Sequence, residues 1–212
     1  MPYDVGSDTY IDKRTGIFRN ILGIKSQEEL ESAEARITSV EIATLINEGV
    51  PTPNEFNPNL LKAVHKQLFN EIYEWAGQLR TVELSKGTTS FARMEHLGAS
   101  LEDTLSQLAK EDYLIDLEFD EFVKRLAHYY GELIILHPFR EGNGRAVRTF
   151  LAMLAESIGW HIAWDEMNPD DNIAASIAAY LGDEKPMVKM LKKIVTPVDA
   201  FWGRDPYEFI DL

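Results

Sequence analysis

Two apolar runs of helical period, separated by a short crossing that can extend neither, place a helix–loop–helix at the centre of this chain. Phe122, Leu126, Tyr129, Leu133 and Leu136 recur at three- and four-residue spacing up to His137-Pro138, where proline disfavours helix in the residue before it. Val147, Phe150, Leu151, Leu154 and Ile158 resume the pattern from about Arg145, with Gly159 as the cap. Other segments carry the same signals. Ser26 with Glu29 has the capping-box form ahead of a helix to about Glu48, and Asn57-Pro58 opens one that continues to Trp75 before Gly77. Leu97, Leu101, Leu105 and Leu108 form a stripe from about Glu95, Asn168-Pro169 starts a helix to about Tyr180, and Pro186 to Ile194 makes a short last one.

The exception is Thr81 to Phe91, TVELSKGTTSF, where alternation around a Ser-Lys-Gly-Thr turn predicts a short hairpin. A lone hairpin is marginal in water, so this one leans on the helices or awaits a partner strand. The expected fold is therefore mostly α with one β-hairpin. With 212 residues and 45% hydrophobic residues, a sizeable core can form. No run has the length of a membrane span, the first ten residues lack the regions of a secretory signal, and a cytoplasmic protein is the default expectation.

Zero cysteines exclude disulfides, thiol nucleophiles and thiolate metal sites, so any nucleophile or ligand here is oxygen or nitrogen. A formal charge of -14 disfavours nonspecific nucleic-acid binding, which needs a surplus of cations. Arg140, Arg145 and Arg148 nevertheless form a local basic cluster suited to a small polyanion.

The crossing from Pro138 to Gly144 explains that cluster. The first backbone N–H groups of the following helix lack intrahelical partners and carry the positive end of its dipole. Gly142 and Gly144 remove side chains that would block close approach, which makes this a phosphate site. Arg145 and Arg148, three apart, share a helix face and point back toward that anion. Glu141 is placed to bind Mg²⁺ together with phosphate oxygens. His137 faces the phosphates across the loop, where a neutral imidazole could take a proton from an attacking hydroxyl. Base, metal, anion hole and arginine clamp together describe phosphoryl or nucleotidyl transfer.

Residues His137 to Arg145 with Arg148 fit the Fic motif, H-x-F-x-(D/E)-G-N-G-R-x-x-R, at every defined position. The chain also resembles that family outside the motif, in KAVHKQLFNEIYEWAGQLR before the hairpin, RLAHYYGELIILHPF leading to the motif, and YIDKRTGIFRNILGI near the start. The last resembles the class paired with separate antitoxins, including Bartonella-type toxins and secreted effectors. The resemblance covers roughly residues 9–196 and leaves 197–212 as an aromatic tail that packs on the domain or begins a further one.

The resemblance implies a Fic-type helical bundle that transfers AMP from ATP to a Ser, Thr or Tyr hydroxyl of a protein and releases pyrophosphate. It implies His137 as the base, Phe139 as a core anchor and Glu141 as the Mg²⁺ ligand. Gly142, Asn143 and Gly144 would form the phosphate cradle, with Arg145 and Arg148 on the outer phosphates. The hairpin would be a flap that pairs with an extended target segment by strand addition, Lys86, Gly87 and Thr88 forming its tip. Related domains use other donors, and a binding module without chemistry is the rival class. TLINEG, Thr44 to Gly49, also fits the family's inhibitory pattern (S/T)-x-x-x-E-(G/N), with Glu48 aimed at the second arginine. It lies close ahead of the next helix, so inhibition in trans by a small antitoxin whose glutamate reaches Arg148 is preferred. A chain of the effector kind would be translocated into a host cell. The other histidines, His65, His96, His128 and His161, read as structural or surface residues.

Overall fold

The computed structural model describes residues 8–86 and 89–198. Helix α1 (Gln27–Asn47) begins after Ser26, whose hydroxyl accepts the Glu29 N–H at 3.4 Å. Helix α2 (Pro58–Phe69) is capped by Asn57, whose side-chain oxygen takes the N–H groups of Asn59 and Leu60. The hairpin follows: β1 (Ser85–Lys86) runs antiparallel to β2 (Thr89–Ser90), with Ser85 opposite Ser90 and Lys86 opposite Thr89. Gly87 and Thr88, expected at its tip, lie outside the described residues. Helices α3 (Leu97–Lys110), α4 (Phe119–Leu136) and α5 (Asn143–Ser157) come next. They are followed by β3 (Trp160–Ile162), α6 (Pro169–Tyr180), α7 (Lys185–Leu191) and β4 (Val195–Pro197).

Helix α4 is the axis of the core. Its Phe122, Leu126, Tyr129, Tyr130 and Leu133 are fully buried, because α3, α5, α6 and α7 all pack on it. Burying an aromatic or leucine side chain completely contributes about 2 kcal/mol, so this stripe anchors the element that carries His137. Helix α2 lies against α5, and α1 lies against α2. The fold thus brings α1, distant in sequence, beside the start of α5.

Three boundaries differ from the sequence pattern. The helix expected to reach Trp75 stops at Phe69, where Ile72 and Tyr73 both donate their N–H to the Phe69 carbonyl and the chain turns. Ile72 and Tyr73 remain buried after the turn, which is why the apolar spacing outlives the helix. Helix α5 begins at Asn143 instead of Arg145, and the last helix ends at Leu191 because Val195 to Pro197 pairs as a strand with Trp160 to Ile162. The aromatic tail from residue 199 lies outside the described residues.

Candidate active site at the junction of α4 and α5

His137 ends α4 in the left-handed conformation, φ 48° and ψ 60°, with its N–H on the Leu133 carbonyl. That turn lays the ring back over its own helix, 3.2 Å from Nδ1 to the Ile134 carbonyl. A carbonyl only accepts, so Nδ1 carries the proton, and in a neutral ring Nε2 is the nitrogen with the lone pair. Phe91, just after β2, stacks on the ring at 4.0 Å between centroids and 23° between planes. The segment leaving the hairpin and the His137 ring are therefore in direct contact.

The loop beyond is closed by its own side chains. Asn143 accepts the Phe139 N–H at 2.8 Å and donates to the Phe139 carbonyl at 2.7 Å. Its side chain is thus committed to the loop. Phe139, fully buried, stacks on His65 at 3.8 Å. Gly142 has φ +77°, and a Cβ there would lie 2.2 Å from the Phe69 ring, so only glycine fits. A Cβ on Gly144 would lie 3.1 Å from Nη1 of Arg148, which shows that guanidinium folded back over the first turn of α5. The positive end of the helix dipole and an arginine thus converge on one spot.

Arg145 is held from the other side. Its Nη2 donates to Glu34 Oε2 at 2.5 Å, its Nη1 lies 3.4 Å from Thr38 Oγ1, and its guanidinium sits 4.8 Å above the Phe69 ring. Tyr73 donates its hydroxyl to the other oxygen of Glu34. Burial first, and then the Glu34 charge, pushes the Tyr73 hydroxyl far above its ordinary pKa, so it stays a donor. Arg145 and Arg148 line a 270 Å³ cavity together with Ile42, Ile46, Val50 and Trp164.

Two relatives, a family model and one solved structure bear on this geometry. The chain is 39% identical over 197 residues to protein adenylyltransferase VbhT of Bartonella schoenbuchensis, covering 92% of this chain and 40% of that protein. It is 34% identical over 195 residues to "Probable protein adenylyltransferase Fic" of Escherichia coli, covering 90% of this chain and 94% of that protein. A model of the Fic/DOC family matches residues 55–155. The chain belongs to the Fic/DOC family. The structure of BepC, a VirB-translocated effector of Bartonella tribocorum with bound AMPPNP, superposes with a TM-score of 0.81 at 25% identity, covering 89% of this chain and 96% of that one. This chain spans less than half the length of the VbhT protein.

Within this Fic fold, not every expected group sits where the motif suggested. Arg140, grouped by sequence with the other two arginines, is engaged by Asp8 at 2.5 and 2.9 Å and lies 4.7 Å over the Phe18 ring. It ties the loop to the N-terminal segment through a buried ion pair. Glu141 is half-buried, with Oε1 accepting the Gly142 N–H at 2.9 Å and lying 4.0 Å from Arg145. Among the described residues no group of three or more acidic or histidine side chains could hold a metal ion, so a cation at Glu141 would need phosphate oxygens to complete its shell. Glu48 is exposed and forms no ion pair among the described residues. Lys86 lies on β1.

Glu34 was not singled out by sequence, and His65 was read there only as a structural or surface histidine. His65 lies on the apolar face of α2 and is fully buried. The Gly77 N–H donates to its Nδ1 at 2.8 Å, so Nε2 holds the proton and donates to the Glu141 carbonyl at 3.0 Å. Only the neutral ring satisfies both bonds, and burial lowers its pKa from 6.5 to about 4. The signal was its position: a histidine on an apolar stripe needs buried partners.

A pH dependence follows. The unfolded chain takes up a proton on His65 below about pH 6.5 while the folded chain refuses it down to about pH 4. The stability this group contributes is complete above pH 6.5 and is lost as pH falls through that window, on the order of 3 kcal/mol in all. Urea unfolding midpoints at about pH 7.5 and about pH 4.5 should fall more steeply for the parent chain than for His65→Gln, which has nothing to titrate there. Equal slopes would show that His65 is not held neutral.

Proposed function

We propose that this Fic domain transfers AMP from ATP to a serine, threonine or tyrosine hydroxyl of a protein and releases pyrophosphate. The observation that carries this reading is the His137 ring, with Nδ1–H fixed on Ile134, set beside a helix N-terminus over which Arg148 is folded. The names of the VbhT and Escherichia coli relatives, and the ATP analogue in BepC, support ATP as the co-substrate.

The target oxygen attacks the α-phosphorus and its proton passes to Nε2 of His137. The bond from the α-phosphorus to the bridging oxygen breaks and pyrophosphate departs. The N–H groups of Asn143 and Gly144 and the arginines 145 and 148 stabilise the phosphate charge. Glu141 fits a Mg²⁺ ion because one oxygen remains beside the one occupied by the Gly142 N–H. Bound there, the ion would neutralise developing charge on the phosphates.

The hairpin supplies the target side. It has only two short strands, so an extended segment can add to its edge, with Lys86, Gly87 and Thr88 closest to that segment. A small antitoxin would silence the site by bringing a glutamate to Arg148 along the cavity walled by Ile42, Ile46 and Val50. Among the described residues no helix is long and apolar enough to cross a membrane. The chain would fold in the cytoplasm, and the likeness to BepC supports translocation into a host.

Competing donors test the reaction class. Bacterial and eukaryotic lysates incubated with the chain should be modified from ATP in preference to UTP and CDP-choline, with pyrophosphate released in step. Preference for another donor would reassign the transferred group, and nucleotide binding without release would leave a binding module.

A further inference from the structure

Arg80 has no part in the motif, yet its side chain is buried and reaches three separate segments. Its Nε donates to the His137 carbonyl at 2.9 Å, its Nη1 to the Val82 carbonyl at 2.7 Å, and its Nη2 to the Ala92 carbonyl, with the Leu136 carbonyl 3.5 Å away. Its backbone N–H donates to the Pro138 carbonyl at 2.9 Å. Val82 lies just ahead of β1 and Ala92 just beyond β2, so both legs of the hairpin and the turn carrying His137 share one guanidinium.

The charge suits the place. The carbonyls of Leu136 and His137 are at the C-terminus of α4, the negative end of its dipole. The one carboxylate in ion-pair range among the described residues is Glu83 at 3.6 Å, and it is half exposed. The fork geometry also matters: a guanidinium presents five donors in a fixed plane, whereas an ammonium is a point charge with three. Phe91 connects this tie to the chemistry, because it is adjacent to Ala92 and stacks on the His137 ring.

We propose that Arg80 is a positioning residue that locks the hairpin to the turn bearing His137, so that the docked target and the base are held in one register. It acts through backbone carbonyls, not on the substrate. The inference rests on the transfer reading above for its consequence, while its structural content stands apart from it. The phosphate cradle is held by different contacts, Asn143 on Phe139 and His65 on Glu141, so loss of the tie should spare nucleotide binding.

The test uses the full chain and Arg80→Lys, which keeps the charge but cannot span all the carbonyls, with Arg80→Gln as a second variant. Three quantities are read: affinity for ATP with Mg²⁺, the rate of label transfer from α-labelled ATP into lysate proteins and into the chain itself, and the His137 tautomer by nitrogen NMR. The expected result is a loss of transfer of at least about tenfold, the scale of a small misplacement of reacting groups. ATP affinity should stay within about twofold, as expected when only target alignment is lost. The Nδ1–H signature of His137 should weaken as its turn loosens. Unchanged transfer with an unchanged tautomer would overturn the inference, as would ATP affinity falling in step with transfer and unfolding temperature. If the parent chain transfers nothing but the tautomer still changes in Arg80→Lys, the transfer reading fails and the positioning role stands.

Discussion

Replacing His137 by alanine lowers AMP transfer at least about a hundredfold, the scale for removing a general base, and leaves the chain folded. The rate falls because no other group in the described site has a proton-accepting nitrogen fixed at that point. Folding persists because the hydrophobic stripe of α4, Phe122, Leu126, Tyr129, Tyr130 and Leu133, is fully buried without any contribution from the ring. The residue is left-handed, φ 48°, a conformation that asparagine tolerates better than alanine. His137→Asn is therefore the cleaner partner variant: it should be as inactive and at least as stable. Initial rates with α-labelled ATP, beside thermal unfolding of both variants, check this. Retained transfer in either variant would move the base elsewhere.

The two motif arginines separate into different classes of loss. Arg148 forms no ion pair among the described residues and lies over Gly144 at the helix N-terminus. Arg148→Ala should cost transfer about a hundredfold or more, as for removal of a charge-stabilising donor, and change the unfolding free energy little. Arg145 also neutralises Glu34, which is buried against Tyr73. Arg145→Ala should lose transfer and in addition about 3 kcal/mol of stability, the scale for stranding a buried charge. A double change, Glu34→Gln with Arg145→Ala, should recover much of that stability without recovering transfer. Denaturant unfolding of the four chains checks the pattern. Equal stability for the two single arginine variants would show that Glu34 does not depend on Arg145.

What the sequence makes legible follows from locality. Helix α4, its stop at His137-Pro138 and the glycine-bearing entry to α5 depend on residues a few positions apart, so periodicity and turn chemistry place them within a residue or two. The hairpin was equally local. Strands β3 and β4 were not legible, because Trp160 to Ile162 is too short for alternation and its partner lies at Val195 to Pro197. The end of α2 was misplaced because a buried turn preserved the apolar spacing. The contacts of Glu34, Arg80 and His65, the last legible only as a structural or surface histidine, were invisible for a shared reason: each acts on the motif loop or its arginine from another element, and only the packing of α1, α2 and the hairpin against α4 and α5 supplies the contact. Arg140 shows the converse, an arginine that the sequence groups with Arg145 and Arg148 but that is turned away to Asp8 by a segment more than a hundred residues distant.

The central claim is transfer of an adenylyl group, and the position of the label on ATP tests it most directly. Parallel incubations of the full chain, Mg²⁺ and lysate with ATP labelled at the α-phosphate or at the γ-phosphate separate the two ends of the nucleotide. The account predicts protein-bound label from the α-phosphate alone, with the γ-label recovered in pyrophosphate, and neither result in His137→Ala. Protein-bound label from the γ-phosphate would contradict it and make this Fic domain a kinase.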